Sequence, residues 1–288
     1  MRADSATQQD LVAVHGSSAT DVWAVGKLGT IIHFDGTRWS VTPTPTAVDF
    51  NAVFAIAPGD AWAVGDNGIV LHWNGLQWSY FEVPTSKDIL DVWASGPNDV
   101  WVLPEESSGA FHVLHWNGSK WLEIPYSASY ASVTQLWGAS PGDVWLASDG
   151  SDIALRRHRN GSGAFVEVSV DGSGRFYIED LDGSAPNDVW AITNDKVLHF
   201  EGAVWRPLVP QPSTDIQFKA IWSASPRDVW LVANYGGIQH FDGTAWSVVT
   251  STDFSVTTND VWGSGPDDLW IVGNGGTIFR RAPPVISR

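Results

Sequence analysis

Six histidines, His33, His72, His115, His158, His199 and His240, recur at one place in a repeated pattern, with Arg280 at the seventh. Histidine is the commonest metal ligand and a general base, so a metal site is the first chemistry to weigh. Each His belongs to a different repeat, however, and ligands on separate units of a ring cannot meet around one ion at ~2 Å. A hydrogen bond repeated within each unit is the better expectation, and no metal or cofactor is expected. Asp180, Asp182 and Asp188 resemble a calcium loop only superficially, because the EF-hand ligand order is missing. There is no Gly-x-Ser-x-Gly elbow, no His-Glu-x-x-His and no phosphate loop. The sequence therefore reads as that of a non-enzyme.

A second set of residues stands outside the repeat, where a singular ligand pocket has to be built. Glu105, Glu106, Asp149, Asp152, Asn194, Asp195, Asn234 and Asn274 fall in turns and connections expected to open on one face. Tyr126, Tyr130, Tyr177 and Tyr235 fall there too, four of the five tyrosines. Tyrosine joins an apolar ring to a polar tip and suits binding surfaces. The expectation is a glycan or cationic ligand held on that face.

The elements that must position these residues follow from one tripeptide. Asp21-Val22-Trp23 returns at Trp62, Trp101, Trp145, Trp190, Trp230 and Trp270, with steps of 39, 39, 44, 45, 40 and 40 residues. Each unit reads as four short strands separated by turn chemistry, as in Asn51–Ile56, Ala61–Val64, Ile69–Trp73 and Gln77–Phe81. Asn74-Gly75 between the last two is a hairpin signal. An aromatic stands eight residues before the central Trp at Phe54, Trp93, Trp137, Trp222 and Trp262, with His15 and Asp182 in units one and five. No window has helical periodicity. Seven such units predict an all-β, seven-bladed β-propeller with four antiparallel strands per blade, spanning residues 1–288 as one domain. The central Trp is read as packing between blades, and the Asp before it as bonding turn amides.

The last blade lacks an obvious fourth strand. The stretch Val285 to Arg288 aligns with the fourth-strand column and is the preferred closure, with Met1 to Asp4 as the alternative. Either places the chain ends side by side.

Composition narrows the partners. Net charge is −16, so a phosphate backbone is repelled and nucleic acid is a poor partner. Of the 32 acidic residues, 25 are Asp, a turn residue. There is no cysteine, hence no disulfide framework or thiolate site. No apolar run approaches the ~18 residues of a membrane span. The start does not look like a signal peptide. A secreted or cell-surface setting is favoured, and a monomer is compatible with the pattern.

The order Trp, apolar strand, Asp-Val-Trp-Ala-Val, Gly-x-Ile resembles tectonin-type propeller repeats, best from Trp39 through Ile69 and from Trp246 through Arg281. His-(Phe/Trp)-(Asp/Asn)-Gly-x-x-Trp-Ser, as at His33 to Ser40, is similar to repeats of bacterial seven-bladed lectins. The order Asp-x-Trp at the start of a second strand does not fit the WD40 pattern. The resemblance implies carbohydrate binding. A lectin-like glycan binder is the first expectation, a protein-interaction scaffold the alternative, and an enzyme with a central pocket the third.

Overall fold

The structure is a computed structural model, and it describes residues 2–106, 111–127, 132–149, 155–159, 162–170, 177–193, 196–208, 217–249 and 256–282. It is an all-β, seven-bladed propeller on a plan of four antiparallel strands per blade, with almost no helix. Among the described residues six blades show all four strands and the seventh shows three. Blade one holds β1 (Leu11–Ser18), β2 (Asp21–Gly26), β3 (Ile31–Phe34) and β4 (Trp39–Val41). Blade two holds β5 (Phe50–Ala57), β6 (Asp60–Gly65), β7 (Ile69–Trp73) and β8 (Trp78–Tyr80). Blade three holds β9 (Ile89–Gly96), β10 (Asp99–Pro104), β11 (His112–Trp116) and β12 (Trp121–Pro125). Blade four holds β13 (Ser132–Ser140), β14 (Asp143–Asp149), β15 (Leu155–His158) and β16 (Val166–Glu167). Blade five holds β17 (Ile178–Ala185), β18 (Asp188–Thr193), β19 (Val197–Phe200) and β20 (Trp205–Leu208). Blade six holds β21 (Phe218–Ser225), β22 (Asp228–Ala233), β23 (Gly237–Phe241) and β24 (Trp246–Val249). Blade seven holds β25 (Thr258–Gly265), β26 (Asp268–Gly273) and β27 (Thr277–Arg281).

The outer edge of β27 is met by the N-terminal segment. Arg2 bridges Phe279, and the Ala3 N–H donates to the Ile278 carbonyl at 2.8 Å. Arg2 and Ala3, in a stretch whose sequence has no strand pattern, supply this contact because an unpaired strand edge accepts any extended backbone. The preferred C-terminal stretch lies outside the described residues.

All seven central Trp side chains are almost fully buried. The Asp two residues earlier, expected to bond turn amides, has a different partner among the described residues. It reaches across its own blade to the third strand instead. Asp Oδ1 meets His Nε2 at 2.7 Å for Asp21–His33, 2.9 Å for Asp60–His72, 2.6 Å for Asp99–His115, 2.6 Å for Asp188–His199 and 2.8 Å for Asp228–His240. The imidazole stacks on the central Trp, at 4.0 Å between centroids for Trp23 and His33. The repeated histidines thus serve the blade.

Blade four corrects one of them. Opposite Trp145 stands Arg157, not His158. Arg157 Nε donates to Asp143 Oδ1 at 2.6 Å and its guanidinium lies 4.7 Å from the Trp145 ring. Arg280 does the same in blade seven, 2.8 Å from Asp268 and 4.4 Å from Trp270. A planar cation keeps both the hydrogen bond and the face-on contact. The segment before Asn160-Gly161 is one residue longer than its equivalents, so counting back from that pair lands on His158.

Candidate functional site

Seven first strands line a central channel of about 540 Å³. Four of its wall residues are aspartates: Asp91, Asp180, Asp182 and Asp260. Each clips one blade to the next through a backbone amide. Leu136 N–H donates to Asp91 at 2.7 Å, Ile221 N–H to Asp180 at 2.8 Å, Ser223 N–H to Asp182 at 2.7 Å, and Val14 N–H to Asp260 at 2.7 Å. Burial among protein atoms disfavours their charge and outweighs these bonds. Asp91 is pushed up to about 7, Asp180 to about 6 and Asp182 to about 8, with Asp260 well above the ordinary range. The charges of Asp180 and Asp91 add to the rise at Asp260. Because all four already accept amide hydrogens, they read as structural clips rather than as a hydrolytic pair.

Next along the strands, the aromatic column forms a second layer of contacts between blades. The indoles of Trp93, Trp137, Trp222 and Trp262 lie against Gly138, Gly183, Gly263 and Gly16 of the following blade, so closely that a Cβ on any of these glycines would sit within 3.0 Å of the ring. The two exceptions in this column act through hydrogen bonds. Asp182 accepts from Ser223, and His15 Nδ1 accepts the Ala55 N–H at 3.1 Å. Burial pushes His15 down to about 3, which keeps that nitrogen free to accept.

The residues expected to hold a ligand have different surroundings where they are described. Tyr126 is buried, packed on Phe111, and so is withdrawn from any surface contact. Burial and the Glu106 charge raise its phenol above the ordinary value. Glu106 is itself buried and paired with Lys87 and His112. Glu105 is exposed, and its N–H donates to the Asp88 carbonyl at 2.7 Å. Asn234 donates to Gln217 Oε1 at 3.0 Å, and Asn274 accepts from Asn259 at 2.9 Å, so both side chains are engaged locally. Asp149 ends β14, its backbone paired with Ser132. Tyr130, Asp152, Asn194 and Asp195 lie outside the described residues. Tyr177 and Tyr235 remain as exposed rings on blades five and six.

Tyr235 has a backbone that sequence reading missed. Four equivalent turns place Leu28, Asn67, Tyr235 and Gly275 in the left-handed region, with φ of 56°, 57°, 60° and 63°. Asn and Gly tolerate this conformation, whereas Leu and Tyr are strained in it. Three of the turns are fixed from the neighbouring connection. Asp49 accepts the Leu28 N–H at 2.9 Å, Asp88 the Asn67 N–H at 2.7 Å, and Asp10 the Gly275 N–H at 2.7 Å. Leu28 and Tyr235 are each 66% exposed. The missed signal was available: Asp-Asn-Gly, Asn-Tyr-Gly and Asn-Gly-Gly align at one repeat position.

No family model matches the sequence, and no curated protein matches it. Three solved structures are similar in fold. One is described as YCF48 bound to D1 peptide, with TM-score 0.77 and 18% identity over 99% of this chain and 96% of that one. The second is YCF48 from Cyanidioschyzon merolae, with TM-score 0.79 and 18% identity over 99% of both chains. The third is the WD40 β-propeller domain of Doa1, with TM-score 0.76 and 13% identity over 99% and 98%. At these identities the likeness is one of fold, shared with propellers generally rather than with tectonin-type repeats.

Proposed function

We propose that the protein is a non-catalytic scaffold that holds a segment of a partner protein on the face of the second-to-third-strand turns. The observation that carries this reading is Tyr235, a large ring 66% exposed on a left-handed backbone that Asn or Gly adopts at less cost. Strain of ~1–2 kcal/mol with no packing return points to use rather than stability. Leu28 repeats the combination on blade one. A rigid ring that displays apolar tips on fixed turns suits protein recognition, and a similar fold is known with a peptide bound. The glycan reading rested on the repeat resemblance and on a surface of aromatic, acidic and amide side chains, and the similar solved structures lend it no support.

The test is comparative capture. Immobilised wild type and a Leu28→Asn, Tyr235→Asn double variant are exposed to the same proteome, with and without excess free glycans. Proteins kept by wild type, lost by the variant and indifferent to sugar are expected. A glycan-array signal without any such protein returns the lectin reading and overturns this one.

A further inference from the structure

The junction between blades two and three departs from three others of the ring in a way that opens the surface. At those three the aromatic pair at the third-to-fourth-strand turn packs on the central Trp of the preceding blade. Phe34 and Trp39 lie 4.6 and 5.2 Å from Trp270, Trp73 and Trp78 lie 5.0 and 5.1 Å from Trp23, and Phe200 and Trp205 lie 4.9 and 5.4 Å from Trp145. Trp39, Trp78 and Trp205 are consequently buried. Between blades two and three, Phe81 takes that place, 4.9 Å from Trp62. Trp116 and Trp121 stand off against Phe81, at 5.1 and 6.1 Å, and both are partly exposed. The equivalent of Phe81 in blade one is Thr42, whose N–H donates to Ile31 just as the Phe81 N–H donates to Val70.

The outcome is an open groove of about 480 Å³, walled by Phe81, Val83, Pro84, Trp116 and Trp121. We infer that this groove binds a proline-rich segment in the polyproline II conformation, a site separate from the turn face and independent of that reading. Half of the recognition is already displayed by the chain. The Trp121 indole N–H donates to the Glu82 carbonyl at 2.8 Å, beside the Val83-Pro84 stretch that lines the same wall. Trp116 offers a second indole N–H, and it makes no hydrogen bond to a described residue; its counterpart Trp73 is satisfied by the Pro58 carbonyl at 3.2 Å. An extended polyproline helix has unpaired backbone carbonyls, apolar rings and little entropy left to lose, so aromatic walls with a free donor suit it. A sugar needs several polar side chains around its hydroxyls, and among the described residues Glu82 and Lys120 are the charged ones at this groove, beside the two indoles.

Calorimetry of the whole chain with decaproline, a glycine–serine peptide of equal length and cellohexaose tests the inference. Decaproline is expected to bind about tenfold tighter than the glycine–serine peptide. Trp116→Phe, which keeps the ring and removes the donor, is expected to weaken binding by about fivefold to tenfold. Phe81→Thr lets the junction close as in blade one and should abolish binding, whereas Tyr235→Asn should leave it unchanged. If Phe81→Thr does not fold, Trp116→Phe alone decides. Equal binding of both peptides, preference for cellohexaose, or binding indifferent to Trp116→Phe would each overturn the proposal.

Discussion

The junction between blades one and two and the junction between blades two and three are built on the same motif and end differently. In the first, Trp78 closes edge-on over Trp23 and is buried. In the second, Phe81 closes over Trp62, and the matching Trp121 is displaced toward solvent. Trp23 and Trp62 are equally inaccessible in the two cases. The central Trp is therefore core in both junctions. A single residue outside the repeat, Phe81, accompanies the fourth-strand Trp that is left partly exposed.

The largest expected effect breaks the closed junction. Trp23→Ala should cost about 3–5 kcal/mol in urea unfolding, the range for truncating a packed Trp. A loss under ~1 kcal/mol would mean that blades one and two are not held by this ring.

The pH profile comes next. Asp91, Asp180 and Asp182 have raised carboxyls, so the folded ring binds protons that the unfolded chain has already released. Their contribution is full below the ordinary carboxylate range and is lost as pH rises through about 6 to 8. Asp21, Asp99 and Asp188 behave oppositely. Burial opposes their charge, but bonds from His and Ser outweigh it and hold them below their ordinary value. Their contribution is present above that value and fades as acid protonates them. The thermal midpoint should therefore rise as pH falls from about 8 toward 5 and drop below about 4. Asp182→Asn should flatten the upper limb, since Asn still accepts the Ser223 N–H. An unchanged limb would remove Asp182 from the account.

Phe81→Thr should cost only about 1 kcal/mol in urea unfolding, because a half-exposed ring is lost and two indoles can close the gap. A loss near that of Trp23→Ala would show that the open junction depends on Phe81 as much as the closed one depends on Trp78. The smallest effect has the opposite sign. Tyr235→Asn should stabilise by roughly 0.5–1 kcal/mol, by relieving a left-handed Tyr. No gain in melting temperature would remove the strain argument for the turn face.

Much of the ring was legible in the sequence because it depends on local spacing. The Asp of Asp-x-Trp with its third-strand partner and the Asp-Gly or Asn-Gly turn each act within a single blade. The turn chemistry is visible directly: Asp35 Oδ1 accepts the Thr37 and Arg38 N–H groups at 2.8 and 3.0 Å, and Gly36 has φ of 92°. Contacts between blades have no such signature. Nothing near Asp91 or Asp260 indicates that each will hold an amide of the next blade, and for Asp260 that amide is 246 residues away. The register of blade four was misjudged because one extra residue before Asn160 shifted the count from Arg157 to His158. Tyr126 looked like a loop residue, yet it packs inward because Phe111 and Val113 give it an apolar seat.

The indole-on-glycine contact also gives four of the seven joints a direction. Trp262 covers Gly16 as Trp93 covers Gly138, always from one blade onto its successor. The molecule is in this sense a closed head-to-tail oligomer written on one chain. An arc of blades carries a knob at one end and a socket at the other, and the two arcs left by a cut in the backbone match each other in one order only. Pieces cut at two of these four joints are expected to recombine in that order, because a shuffled order sets an indole against a residue that leaves it no room.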